Sequence, residues 1–314
     1  MVLRQLFRLV KSAGTDDRRG KVSVDLFDEE FLRKLESLSV MNKHSVSGAR
    51  RGERRSRKKG SGVEFADHRN YVAGDDIRYL DWGVYQRFGK LLLRLFEEEE
   101  DLSLYFLVDT SASMGMYEAA KLNQAAQVTA ALCYLGLSSL DRVSICTISD
   151  RITGRMAPTR GKQRVFRALH FLSQMQGNGV TDLKSALRAF VAQNKRRGMV
   201  ILMSDLFDPA GFQAGIDVLR FNKFEPVVLH LTDARDQAST LLGDLSLTDV
   251  ESGVEREVTM TRALKQRVQL AFVQRQQDIA HYCGKKGVPY FEVDVATPFA
   301  DVVLNVLRKG GLLR

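Results

Sequence analysis

Three apolar runs, LSLYFLVD (102–109), GMVILMSD (198–205) and PVVLHLT (226–232), recur between stretches with helical spacing, and this repetition constrains the fold most. A strand that is apolar on both faces needs cover on both faces. A mostly parallel sheet between two layers of helices supplies that cover. RVSICTIS (142–149) and GVPYFEVDV (287–295) read as further strands, with ITGRMAP (152–158) a short one behind the turn at Asp150. Ala119, Leu122, Ala125, Ala126, Leu132 and Leu135 line a helix after the first strand. Later helices are expected at about 160–174, 182–194, 210–221, 261–283 and 299–308 from their apolar spacing. The stretch 241–260 breaks the alternation and reads as a hairpin insertion near 236–260, turning at Glu251-Ser252-Gly253.

Upstream the character differs. In DEEFLRKLESLSVM, Phe31, Leu32, Leu35 and Leu38 share a helical face. Between Lys43 and Lys59 stand eight Lys or Arg against the single Glu53, a loop by content because like charges repel and almost nothing apolar is available to bury. Residues 63–101 read as strands and turns, with Gly74-Asp75 the strongest turn signal. The expected division is therefore an N-terminal helical segment (1–40), a basic loop and β-rich region (41–100), and an α/β domain (101–314). The net charge of +9 is concentrated in the basic loop. Cys133, Cys146 and Cys283 form no CxxC pair, which disfavours a disulfide scaffold or a zinc ribbon and fits reduced thiols. No window approaches the ~20 apolar residues of a membrane span, so a soluble, cytoplasmic protein is expected.

The chemistry gathers at strand ends, where open parallel sheets bind ligands. The first strand ends in Asp109, followed by Ser111 and Ser113; another ends in Asp205; GNGVTDLKSAL places Thr181 in a loop just before a helix. Three hydroxyls and two carboxylates are hard oxygen donors suited to Mg²⁺, or to another divalent ion such as Mn²⁺ or Ca²⁺. Asp or Ser after a strand often merely caps the next helix; five such residues in this order argue for a cation. An acid after a first strand also occurs in Mg²⁺-dependent phosphatases of the haloacid-dehalogenase type. Their chemistry requires a second Asp two residues on, where this chain has Ser111. The five histidines (His44, His68, His170, His230, His281) show no ligand or triad spacing.

Asp109-Thr110-Ser111-Ala112-Ser113, Thr181 in GVTDL and Asp205 in MSDLFD together resemble the metal-ion-dependent adhesion site of von Willebrand factor A domains. The resemblance implies a von Willebrand A-like (Rossmann-type) fold over about 102–314. It implies Ser111, Ser113 and Thr181 as direct ligands, with Asp109 and Asp205 acting mostly through water or hydrogen bonds. A protein partner's carboxylate would fill the sixth position. The preceding Glu64-Phe65, Arg69-x-Tyr71, Gly74-Asp75-Asp76, Arg78, Asp81-Trp82 and Glu100 resemble a bacterial group of these proteins known as a domain of unknown function. Its members are typically encoded beside MoxR-type AAA+ ATPases. The function implied is non-enzymatic: a metal-dependent protein-interaction module, adaptor or co-chaperone of such an ATPase, its partner being the ATPase or its client.

Two other features bear on partners. Arg50, Arg51, Arg54, Arg55, Arg57, Lys58 and Lys59 could dock an acidic protein surface or phosphates, or be a solvated run. Nucleic-acid binding is helped by interleaved aromatics, and the loop has none. A basic nucleic-acid- or lipid-binding module with a purely structural metal site is the alternative. In GDDIRYLDW, Asp75, Asp76 and Asp81 are expected to pair with Arg69 and Arg78, with Trp82 packed on the sheet domain.

Overall fold

The computed structural model describes residues 20–37, 59–60, 64–97, 103–237, 242–251 and 253–309, with side chains at 24–25, 59–60, 64–66, 95–97 and 237 left aside. The described residues form two compact units, one comprising 20–37 and 103–309 and the other 59–97.

The N-terminal helix α1 (29–37) belongs to the larger unit. Asp28 Oδ1 accepts the Phe31 amide at 2.7 Å, satisfying one of the free donors of the first turn. Phe31 and Leu35, four apart, are buried, and Phe31 stacks on Phe299 at 4.8 Å between ring centroids. Leu38, expected on the same face, lies outside the described residues.

The smaller unit is an antiparallel sheet of β1 (Lys59–Gly60), β2 (Glu64–Asn70) and β3 (Leu92–Glu97), with β3 in the centre. The connection from β2 to β3 is more than the turns expected from sequence, because it contains a helix, α2 (Trp82–Phe88). Asp81 Oδ1 accepts the amides of Gly83 and Val84, and Gly89 closes the helix at φ 65°, where a side chain would be strained. Asp75 pairs with Arg69 and Asp76 with Arg78, as expected. Asp81 instead takes Arg94 and His68, each at 2.9 Å. Trp82 is not a core residue: it is 57% exposed. Of the seven candidate docking residues, Arg50, Arg51, Arg54, Arg55, Arg57 and Lys58 lie outside the described residues, as does the Lys59 side chain.

In the larger unit the apolar runs become β4 (Ser103–Asp109), β5 (Arg142–Ile148), β6 (Ile152–Thr159), β7 (Met199–Ser204), β8 (Glu225–Thr232) and, beyond the hairpin β9 (Gly243–Thr248) and β10 (Glu255–Met260), β11 (Tyr290–Asp294). The six-stranded order is β11-β8-β7-β4-β5-β6, parallel throughout except for β6, which runs antiparallel to β5. This is the expected mostly parallel sheet flanked by helices. Tyr105 and Leu107 of β4 face a core completed by α5 (Leu183–Gln193), α6 (Gln213–Phe221) and α8 (Arg262–Lys286). Residues of alternate parity, Leu104, Phe106 and Val108, are buried on the opposite side, covered by α3 (Met116–Ser138). Against α3 lie α4 (Val165–Ser173) and α9 (Phe299–Lys309), whose buried Phe299, Val302, Val303, Val306 and Leu307 have helical spacing. The single turn α7 (Ala234–Gln237) follows β8. Among the described residues no helix is long and apolar enough to cross a membrane.

This order positions the site. The chain leaves β4 for β5 on one side and later returns to β7 on the other, so the connections diverge above the carboxyl ends of β4 and β7. Such a switch point leaves a crevice in an open parallel sheet.

Candidate functional site

Asp109 ends β4 with no solvent exposure. Its Oδ1 accepts the Ser111 amide at 2.9 Å, which folds the chain back over the strand end. Turns from Met114 to Ser111 and from Gly115 to Ala112 bring Ser111 Oγ within 3.1 Å of Ser113 Oγ. From β7, Ser204 Oγ donates to Asp109 Oδ2 at 2.5 Å, tying the two strand ends together. The next residue, Asp205, accepts the Phe207 amide on Oδ1 at 3.2 Å, and the nearby Ser113 hydroxyl favours its charged form. Asp109, Ser111, Ser113 and Ser204 therefore form one hydrogen-bonded cluster, with Asp205 next in the chain beside it.

Thr181 arrives on a third loop. Asn178 donates its amide to Thr110 O at 2.7 Å, and Ala112 donates to Gly179 O at 3.0 Å. These bonds need close backbone contact. A Cβ on Gly177 would lie 2.5 Å from Gly115 Cα, so only glycine fits. On the far side Asp208 Oδ2 accepts the Leu183 amide at 2.9 Å, locking the start of α5 to the loop after β7. Thr181 is buried, but its hydroxyl does not join the cluster of four. It donates to Glu251 Oε1 at 2.7 Å while its amide donates to Glu251 Oε2 at 3.0 Å.

Two further groups were not legible as site residues. Lys121, on the first full turns of α3, is 1% exposed and donates to Asp205 Oδ2 at 2.7 Å and to Asp236 Oδ2 at 3.1 Å. Its sequence signal was a lysine directly before Leu122 on a helix that also carries the apolar Ala125, Ala126, Leu132 and Leu135. Glu251 sits at the tip of the β9–β10 hairpin; an acid at the turn of an added hairpin was its only mark. The sequence suggested oxygen donors alone, and Lys121 revises that picture. One oxygen of Asp205 is already committed to an ammonium, and the other accepts the Phe207 amide.

The electrostatics follow from burial. Taking Asp109 out of water, with the Asp205 charge beside it, pushes its pKa up to about 7. Burial acts on Asp205 in the same direction, but the Lys121 charge and hydrogen bond overcome it and hold Asp205 below the ordinary range. Burial disfavours the Lys121 ammonium, yet Asp205 and Asp236 more than reverse this and raise its pKa. Of the two carboxylates Asp109 therefore takes up a proton the more readily, and Lys121 balances Asp205. Backbone strain adds to the picture. Leu206, directly after Asp205, has φ 57°, and Tyr117, Glu118 and Ala119 lie at 50°, 61° and 59° between the Ser113 loop and Lys121. Left-handed residues other than glycine cost roughly 1–2 kcal/mol each and concentrate at functional sites.

Among the described residues no three His, Cys, Asp or Glu side chains are placed together to hold a metal. A soft or zinc-type centre does not fit. The oxygen set fits a hard divalent cation held through Ser111 and Ser113, with Asp109 and Thr181 alongside and Asp205 behind.

A family profile described as "Protein of unknown function DUF58" matches residues 67–278. The chain is 26% identical over 296 residues to uncharacterized protein Rv1480 of Mycobacterium tuberculosis, covering 92% of this chain and 93% of the relative. It is 30% identical over 134 residues to uncharacterized protein MAV169 of Mycobacterium avium, covering 42% and 79%. Among solved structures, the conserved hypothetical protein BatB from Bacteroides thetaiotaomicron aligns over 68% of this chain and 98% of its own, at 11% identity and TM-score 0.43. Manganese-loaded Plasmodium vivax TRAP protein aligns over 66% and 72%, at 15% identity and TM-score 0.37.

Proposed function

Because the chain belongs to the DUF58 family of proteins of unknown function, we propose that it is a non-enzymatic protein-interaction module whose recognition site is the loop cluster above β4 and β7. A divalent cation such as Mg²⁺, when bound there, supplies a positive charge for an acidic side chain of a protein partner. The observation that carries the reading is the hydrogen-bonded set of Asp109, Ser111 and Ser113 at the switch point, tied through Ser204 to the end of β7 beside Asp205, with the Thr181 loop fastened alongside.

The chain's own residues divide the work. Ser111 and Ser113 present hydroxyl oxygens, and Asp109 orients the first of them through its amide. Lys121 keeps Asp205 ionised without drawing it into the site. Burial excludes water from the cluster, which strengthens any contact between an ion and an incoming carboxylate. A phosphatase mechanism is not supported. Ser111 stands where a general acid is needed, and the buried His230, pushed down to about 3 by burial and then Arg275, is held on Tyr290.

The partner we propose is a MoxR-type AAA+ ATPase or its client, on the resemblance carried by residues 64–100. The test is capture of a co-expressed MoxR-type ATPase by the full chain in Mg²⁺, in EDTA, and with Asp109→Ala. Capture in Mg²⁺ only, lost in the variant, is expected. Equal capture in all three conditions refutes the metal-dependent reading.

A further inference from the structure

The Thr181 loop is covered by a carboxylate that belongs to the chain itself. Glu251 contacts Thr181 with both oxygens, at 2.7 Å to the hydroxyl and 3.0 Å to the amide. It is delivered by an addition to the strand–helix alternation: β9 and β10 pair antiparallel from Gly243↔Met260 to Thr248↔Glu255, and the tip is shaped by the Glu251 amide donating to Asp249 Oδ1 at 2.9 Å. The described strand residues of the hairpin bury little apolar surface. Of its strand residues only Leu247 and Met260 are buried, and most of the others are exposed. A two-stranded ribbon is marginally stable alone, and elements with few buried apolar contacts open locally at low cost. A carboxyl group therefore rests on a predicted cation-binding residue, at the tip of a hairpin that buries little apolar surface.

Resting on the proposed metal-dependent reading, we infer that Glu251 is a tethered stand-in for the partner's acidic side chain. It closes the site in the free protein, and a partner carboxylate engages only when the hairpin lifts. The partner is thereby specified as one that presents Asp or Glu on a projecting tip able to replace the hairpin. Selectivity comes from the competition, because a weak acidic contact does not displace a ligand held at the high local concentration of a short tether.

The experiment uses the full chain, with Mn²⁺ alone as probe, in wild type, Glu251→Ala and Glu251→Gln. Thermal melting checks that each variant is folded; Glu251 lies at a hairpin tip, and Glu251→Gln keeps its shape. Two signals are read. Amide exchange at Thr181 should rise about tenfold to hundredfold in Glu251→Ala, the range set by loss of a charge-assisted hydrogen bond, and less in Glu251→Gln. Water-proton relaxation by bound Mn²⁺ should report about one more exchangeable water in Glu251→Ala than in wild type, as expected when a protein ligand is replaced by solvent. Unchanged Thr181 exchange together with an unchanged water count, while Mn²⁺ still binds, overturns the inference and leaves the metal reading standing. Failure of Mn²⁺ to bind any of the three chains overturns the metal reading and this inference with it.

Discussion

Replacing Lys121 with methionine keeps the buried stem and removes the charge. In the native chain the ammonium lies 2.7 Å from Asp205 and 3.1 Å from Asp236, at 1% exposure, with Asp109 bonded to Ser204, the residue before Asp205. Deleting one partner of a buried pair leaves a charge uncompensated, at a cost of about 3–5 kcal/mol. For a unit of this size roughly 2–4 °C of melting temperature goes with each kcal/mol, so a fall of about 6–20 °C is expected. A cation at Ser111 and Ser113 would restore the missing positive charge next to Asp205. Mg²⁺ at about one hundred times its dissociation constant should then recover roughly 2.7 kcal/mol, and it should bind the variant more tightly than wild type. Differential scanning calorimetry of both chains in EDTA and across a Mg²⁺ series measures each quantity. A double variant with Asp205→Asn should be less damaged than the sum of the single ones. If Lys121→Met in EDTA melted within about 2 °C of wild type, below the shift expected from that buried-pair cost, the charge-balance argument would be wrong.

Other outcomes follow from the same geometry. Gly177→Ala must force Gly115 and the Ser111 carbonyl away, since its Cβ would lie 2.5 Å and 3.2 Å from them; Mg²⁺ affinity by titration calorimetry should fall at least tenfold, about 1.4 kcal/mol. Glu118→Gly replaces an exposed left-handed residue at φ 61° with the one suited to it, and should raise stability by about 1 kcal/mol in urea unfolding. In the smaller unit Arg94 and then His68 hold the Asp81 carboxylate below its usual range. A depressed carboxylate stabilises the fold above its unfolded value and loses that contribution as pH falls. The unit should therefore weaken below about pH 4, with Trp82, the single tryptophan, as fluorescence reporter. Asp81→Asn should flatten that acid limb; an unchanged limb would locate the titration elsewhere.

The framework was readable because burial on both faces leaves a local trace. LYFLV, VILM and VVLHL could be satisfied only inside a layered sheet, and the spacing of Phe299, Val302, Val303 and Val306 could be satisfied only on a helix. The helix Trp82–Phe88 was also written locally, in Asp81 as its cap and Gly89 as its stop, but the apolar residues around it hid the signal. Trp82 was misjudged because aromatic character does not say which way a short helix faces.

The order Asp109, Ser111, Ser113, Thr181, Asp205 is a property of the chain, and with it the oxygen chemistry of the strand ends, since each residue's place relative to its own strand or helix is set by neighbours a few positions away. Tertiary structure alone decided that Lys121 would balance Asp205 and that Glu251 would cover Thr181. Those pairs are separated by 84 and 70 residues. Long-range electrostatic pairing depends on where strand order places two distant segments, and no local pattern of apolar and polar residues carries that information.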